Sequence, residues 1–271
     1  MKNGSNEMRG LYDFGGESLT LEIEDGIAVA TMNRPEHHNA LSRELRDNLA
    51  LLLRDVERDD RVEVLIITGA GEKSFSAGAD LKEFEIAPLQ TREMGTDSAV
   101  MLAFDALTKP VIAAVNGYAV TGGLEIVVNC DIPVASTNAR FADTHARVGV
   151  LPGWGLSQHL QMLIGPIRAR YMAFTGNYID AATAKEWGLV LDVVEPDELL
   201  PHCRKIAADI IGCDQATMSD YRRVMRAGMK TTFNEGFQAE TIVARAGLAR
   251  FDAAAFGKTR KQVVSRGKSQ A

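Results

Sequence analysis

Alternating apolar and polar positions come first along the chain. Leu19, Leu21 and Ile23 alternate with Thr20, Glu22 and Glu24, Asp25-Gly26 follows, and Ile27 and Val29 resume the pattern. Period two on both sides of an Asp-Gly pair predicts a β-hairpin, because that pair tolerates the positive φ angles of a tight turn. Asn33-Arg34-Pro35-Glu36 ends the second strand, since proline has no N–H to give a ladder. The period then changes. Leu41, Leu45, Leu49, Leu52, Leu53 and Val56 recur at helical spacing and predict an amphipathic helix over about 42–58, with Ser42 and Glu44 near its start. Val62 to Thr68 is continuously apolar, which predicts a strand buried on both faces.

Gly69 to Asp80 is small, polar and glycine-rich, and predicts a loop to whose backbone something comes close. Helical patterns follow to Leu107, weakest over 83–98, where Pro88 and Gly95 interrupt. Residues 109–131 then read as a strand (Val111 to Val115), a glycine break at Thr121-Gly122-Gly123, and a buried helix opening at Leu124. Short strands are predicted at 132–135, 140–142 and 190–194. Helices are predicted at 156–164, 167–174 and 181–187, and then at about 197–211, 215–228, 233–250 and 253–266. The expected organisation is a polar tail over 1–16, an α/β core of strand-strand-helix units over 17–195, and an all-helical region over 196–271.

Bulk properties narrow the function. The 271 residues suffice for a large core, and a net charge of −6 argues against a dedicated nucleic-acid binder. No apolar run reaches membrane-spanning length, and the first residues lack the apolar core of a signal peptide. Cys130, Cys203 and Cys213 are scattered and odd in number, which suits reduced thiols in a cytoplasm.

The candidate chemistry lies at two glycine loops, Ser76-Ala77-Gly78-Ala79-Asp80 and Thr121-Gly122-Gly123, each after a predicted buried strand. Two such loops can aim backbone N–H groups at one oxygen, and a helix start adds positive partial charge. Taken singly, each is equally an ordinary turn. Glu125 stands two residues after Gly123 among Leu124, Ile126, Val127 and Val128. The helix start favours its anion, whereas apolar surroundings raise its pKa, and it suits either a general acid or base or a structural cap. A histidine titrates near neutrality, so His145 fits a proton carrier or a structural histidine, with Asp143 and Arg147 close enough in sequence to pair with it. His37-His38 is not a metal motif, and no metal site is expected.

Together, Asn33-Arg34-Pro35 with Asn39-Ala40-Leu41, Phe75 to Leu81, Lys109 to Gly117 with Gly122-Gly-Leu-Glu125 and Cys130-Asp131, and Gly149 to Gly153 resemble the enoyl-CoA hydratase/isomerase (crotonase) family. The likeness is strong over about 19–194 and looser to about Arg266. It implies a spiral of ββα units with a helical C-terminal region that makes trimers, often paired into hexamers. It also implies an acyl-CoA thioester substrate and an oxyanion hole formed by the N–H groups of Ala79 and Gly122. The hydratase reaction, addition of water to a 2-enoyl-CoA, is the leading expectation, with double-bond isomerisation as the alternative. A non-catalytic acyl-CoA or RNA-binding scaffold is disfavoured by the acidic charge and by Glu125. Pro35, His37, His38, Ala40, Ala77, Gly78, Asp80, Leu81, Val120, Gly123 and Trp154 are the implied substrate contacts, and Lys258, Arg260 and Lys261 are candidates for phosphates. No cofactor is called for, CoA being part of the substrate. One departure stands out: where the resemblance implies a second glutamate partnering Glu125, this chain has Thr144-His145.

Overall fold

The structure, a computed structural model, describes residues 11–87 and 90–270, with the side chains of 254, 255, 258, 269 and 270 outside that description. Residues 1–10 of the predicted tail, Pro88 and the Lys258 side chain therefore fall outside the described residues. Among the described residues, ten strands form two sheets: β1 Leu19–Glu24, β2 Ile27–Met32, β3 Val64–Gly69, β4 Ser74–Ser76, β5 Val111–Val115, β6 Tyr118–Val120, β7 Ile132–Ser136, β8 Arg140–Ala142, β9 Ile179–Asp180 and β10 Asp192–Val194. The larger sheet has the order β1-β2-β3-β5-β7-β10 and the smaller β4-β6-β8-β9. Among the described residues, only β1 with β2 and β8 with β9 pair antiparallel. Each successive pair, β3–β4, β5–β6 and β7–β8, gives its first strand to the large sheet and its second to the small one, and helices follow. This is the strand-strand-helix rhythm expected from sequence.

The hairpin turns at Asp25 and Gly26 with φ of 50° and 81°, as the Asp-Gly pair requires. The first long helix, Arg43–Arg58, is capped by Ser42, whose side chain accepts from the Leu45 N–H. Both faces of the large sheet are covered. Ala28, Ala30, Leu65, Ile67, Val111 and Ala113 join the main core with Leu45, Leu49, Leu52 and Leu53 of that helix. The intervening Ile27, Val29, Val64, Ile66, Ile112 and Ala114 meet Leu199, Cys203 and Ala207 of the helix Leu199–Ile211. Period two thus feeds two cores, which is why β3 reads as an unbroken apolar run.

The chain divides into two compact units, one ending at Cys213 and the other beginning at Asp214. The predicted helical region 196–271 therefore spans the last helix of the first unit and all of the second. The second unit holds the helices Gln215–Gly228, Phe233–Gly247 and Ala253–Gln270. Asp214 and a Thr232–Glu235 capping box start the first two of these. Among the described residues, no helix is long and apolar enough to cross a membrane.

Candidate active site

Two loops meet at the start of the helix Gly122–Asn129. The first is fixed by backbone bonds: the Ala77 N–H donates to His38 O at 3.0 Å and the Leu41 N–H to Gly78 O at 2.8 Å. The second turns at Thr121, whose φ of 46° and ψ of −113° lie outside the usual regions for a β-branched residue. Such strain persists only where the surroundings enforce it. Here the Thr121 N–H donates to Ala142 O at 3.0 Å, and Gly78 presses against the turn from the other loop. Gly78 has φ +85°, and a Cβ there would fall 1.8 Å from Thr121 Oγ1 and 2.7 Å from Val120 O. A Cβ on Gly123 would fall 2.2 Å from Ser76 O. Contact requires glycine at both positions, and at Gly78 the positive φ requires it as well.

This closeness brings two backbone donors together. Gly122 is the first residue of its helix, so its N–H has no intrahelical acceptor. A Cβ built on Gly122 would lie 3.7 Å from the Ala79 nitrogen. Ala79 bridges to Leu41 only through its neighbours, by Leu41 N–H to Gly78 O and Asp80 N–H to Leu41 O. Neither the Ala79 nor the Gly122 N–H has an acceptor among the described residues. The helix began two residues earlier than the sequence pattern suggested, and that difference is what turns Gly122 from a turn residue into a donor.

Glu125 follows in the first helical turn and is 4% exposed. Its Oε1 accepts the Trp154 N–H at 2.6 Å, and the Leu156 N–H also serves the carboxylate. Its Oε2 lies 3.8 Å from His145 Nε2. Burial raises the Glu125 pKa above the usual carboxylate value, against the pull of the Trp154 N–H and of His145. His145, also buried, opens a short helix, His145–Val148. Its Nδ1 lies 2.7 Å from Asp143 Oδ1. Of the two sequence neighbours able to pair with it, Asp143 does so. Arg147 instead donates to Thr175 O, at 2.8 Å from Nε.

The cleft around these groups has a volume of about 770 Å³, open mouth included. Its far wall is an ion cluster. Glu93 Oε1 takes Arg46 Nη2 at 2.8 Å and Arg43 Nε at 3.1 Å, and the Arg46 guanidinium lies 5.4 Å from the centre of the Phe84 ring. The Trp154 indole N–H donates to Glu93 O at 3.2 Å, which ties this wall to the residue whose backbone holds Glu125. Phe84, Met94, Val148, Val150 and Leu151 give the cleft its apolar lining.

Residues 22–254 match the family model described as enoyl-CoA hydratase/isomerase. The chain belongs to that family. It is 38% identical over 226 residues to a crotonyl-CoA hydratase of Syntrophomonas wolfei, covering 83% of this chain and 87% of that protein. The crystal structure of the Bacillus anthracis enoyl-CoA hydratase superposes with a TM-score of 0.82 at 30% identity, over 91% of this chain and 96% of that one. A monofunctional enoyl-CoA isomerase from M. smegmatis is also similar, with TM-score 0.70 and 34% identity over 82% and 98% of the two chains.

Of the residues singled out from sequence, Glu125, His145, Ala79, Gly122, Ala77, Leu81 and Trp154 line the one cleft. Gly78 and Gly123 pack the two loops together. Asp80 is held by Arg34 at 3.0 Å and caps the helix Leu81–Ile86. Pro35 and His37 form a 3₁₀ turn, His38 Nδ1 lies 3.2 Å from Ser74 Oγ, the Ala40 carbonyl accepts from Arg34, and Val120 is buried in β6. These five do not line the cleft. Arg260 and Lys261 are exposed on the last helix of the second unit. Sequence reasoning missed Arg46 and Glu93. A buried arginine within the apolar face of the helix Arg43–Arg58 was the available signal.

Proposed function

We propose that the protein is an enoyl-CoA hydratase, adding water across the double bond of 2-enoyl-CoA thioesters. The observation that carries this reading is the pairing of Glu125 with His145 in a cleft that also holds two unused backbone N–H groups. In a family whose hydration chemistry needs two proton-handling groups, the pair supplies both without a second glutamate.

In the starting state Glu125 Oε2 carries a proton and His145 Nε2, 3.8 Å away, does not. Neutral His145 removes a proton from water at Nε2 as the oxygen bonds to C3 of the substrate. The π electrons move to the thioester oxygen, and the enolate is held by the Ala79 and Gly122 N–H groups. Glu125, protonated, gives its proton to C2. Its raised pKa suits that role. The pair ends as carboxylate and imidazolium, and transfer of the imidazolium proton from Nε2 to Oε2 restores the starting state. The Oε1 bond to Trp154 N–H keeps the other carboxylate oxygen out of this exchange.

The test is incubation with short, medium and branched 2-enoyl-CoAs, read by loss of conjugated-thioester absorbance and by mass. A gain of one water supports hydration, and no turnover across the panel refutes it. Isomerisation is the second reading, favoured by Glu125 being, among the described residues, the carboxylate lining the cleft that no arginine holds. Glu125 would take a proton from C2 of a 3-enoyl-CoA and return it at C4, and unchanged mass with a newly conjugated product would identify it.

Further parts of the proposal concern assembly and the CoA end. Pro35, His37, His38, Ala40 and Asp80 are assigned to the CoA moiety. A homotrimer or dimer of trimers is assigned to the chain, supported by the exposed Tyr221, Met225, Phe233, Phe237 and Phe251 of the second unit. Cys130, Cys203 and Cys213, none in a disulfide among the described residues, support a cytoplasmic location.

A further inference from the structure

We infer that Asp143 is a positioning residue that holds His145 as the Nδ1–H tautomer and so presents a bare Nε2 to the cleft. The inference rests on the hydratase reading for its consequence, though not for its geometry. Asp143 is 4% exposed at the end of β8, and its Oδ1 receives two donors from His145: the ring Nδ1 at 2.7 Å and the backbone N–H at 3.2 Å. An ionised carboxylate only accepts, so Nδ1 must carry the hydrogen. Neutral imidazole has one N–H, and Nε2 is left with its lone pair toward Glu125 Oε2, 3.8 Å away.

Other charged groups do not compete for Nδ1. Glu125, on the helix Gly122–Asn129, faces Nε2 instead. Arg147, on the histidine's own helix, is held by the Thr175 carbonyl. Arg46 and Glu93, across the cleft, are paired with each other. The backbone bond to Asp143 also fixes the carboxylate relative to the ring, so ring and acceptor cannot drift apart independently.

The consequence is directional. With the hydrogen on Nδ1, His145 accepts a proton from water, and the resulting imidazolium keeps a carboxylate beside it. With the hydrogen on Nε2, the ring offers a proton where one must be taken, and the first half of hydration stalls. A carboxylate on the histidine's far side is thus the device by which a Glu–His pair stands in for two glutamates.

The test is 15N NMR of the protein with labelled histidine, with the His145 signal assigned by its absence in His145→Gln. With the ring neutral, wild-type His145 is expected to show a protonated Nδ1 and a bare Nε2. In Asp143→Ala the tautomer shifts toward Nε2–H, and kcat with crotonyl-CoA falls on the order of 100-fold while KM changes little. Asp143→Asn keeps an acceptor oxygen without the charge, and its kcat lies between the two. A wild-type His145 protonated at Nε2, or an Asp143→Ala enzyme within about threefold of wild-type kcat, overturns the inference. If Asp143→Ala does not fold, the wild-type spectrum alone decides. Because the tautomer is read without turnover, its failure is distinguishable from failure of the hydratase reading.

Discussion

Glu93 and Glu125 line the same cleft and are treated in opposite ways. Glu93 is flanked by two arginines and by the Gln90 N–H at 2.7 Å. Burial works against its charge, yet Arg43, the Gln90 N–H and Arg46 hold its pKa down to about 2. Glu125 has backbone donors and a histidine but no arginine or lysine bound to it, and burial prevails, raising its pKa. One carboxylate is over-supplied with positive charge and becomes part of a wall. The other is under-supplied, and burial pushes its carboxyl toward the protonated form 3.8 Å from His145 Nε2. Two things separate them: Glu93 has fixed cations and is only partly buried, whereas Glu125 has none and is buried.

The largest effect that sharpens this contrast is on turnover. Glu125→Gln is expected to lower kcat by about 1,000-fold or more, because it removes both the proton and the partner of His145. Glu93→Gln should cost no more than about 10-fold. Steady-state kinetics on 2-enoyl-CoA check both, and equal losses would erase the distinction. Next in size is Gly78→Ala, which forces a Cβ against Thr121 and Val120 at a positive φ. It should destabilise the fold by about 1–3 kcal/mol in denaturant unfolding, and it should lower kcat by displacing the Ala79 and Gly122 donors.

Smaller effects concern stability and its pH dependence. Glu93→Gln leaves Arg43 and Arg46 short of their counter-ion and should cost about 1–2 kcal/mol near neutral pH. Since the folded pKa of Glu93 is depressed, its contribution is present above the unfolded value of 4.5 and fades as pH falls from there toward about 2. Glu125 has the opposite sign. Its folded pKa is raised, so its favourable contribution is present below 4.5 and is lost as pH rises through the folded value. Glu125→Gln should therefore melt slightly higher than wild type at neutral pH, and that advantage should shrink below pH 4.5. A lower Tm for Glu125→Gln at neutral pH would place Glu125 with Glu93 as a structural group.

Legibility in the sequence followed the range of the interactions involved. The hairpin at Asp25-Gly26 and the helix after Ser42 rest on local turn and capping chemistry, and both are where the pattern put them. The strands β4, β6 and β9 have three, three and two residues, too few to show a period, and lay hidden in segments that read as loops and turns. Glu125 and His145 stood out as polar residues in apolar or motif-bearing stretches, and Asp143 was near enough in sequence to be weighed. The pair Arg46 and Glu93 was not visible, because its members are 47 residues apart and Glu93 sits in the weakly patterned 83–98 stretch. Gly122 needed the structure for a different reason: a helix start is uncertain by a residue or two from pattern alone, and its N–H becomes a donor only at the first position.

Addition of water to an enoyl thioester is the work proposed for the Glu125–His145 pair. The most direct measurement is crotonyl-CoA turnover in 18O-labelled water by wild type and Glu125→Gln, read by mass. The wild type is expected to form product carrying one labelled oxygen and the variant almost no such product in the same time, with crotonyl-CoA still bound by both. A wild-type product of unchanged mass, or labelling by Glu125→Gln at the wild-type rate, would contradict the account.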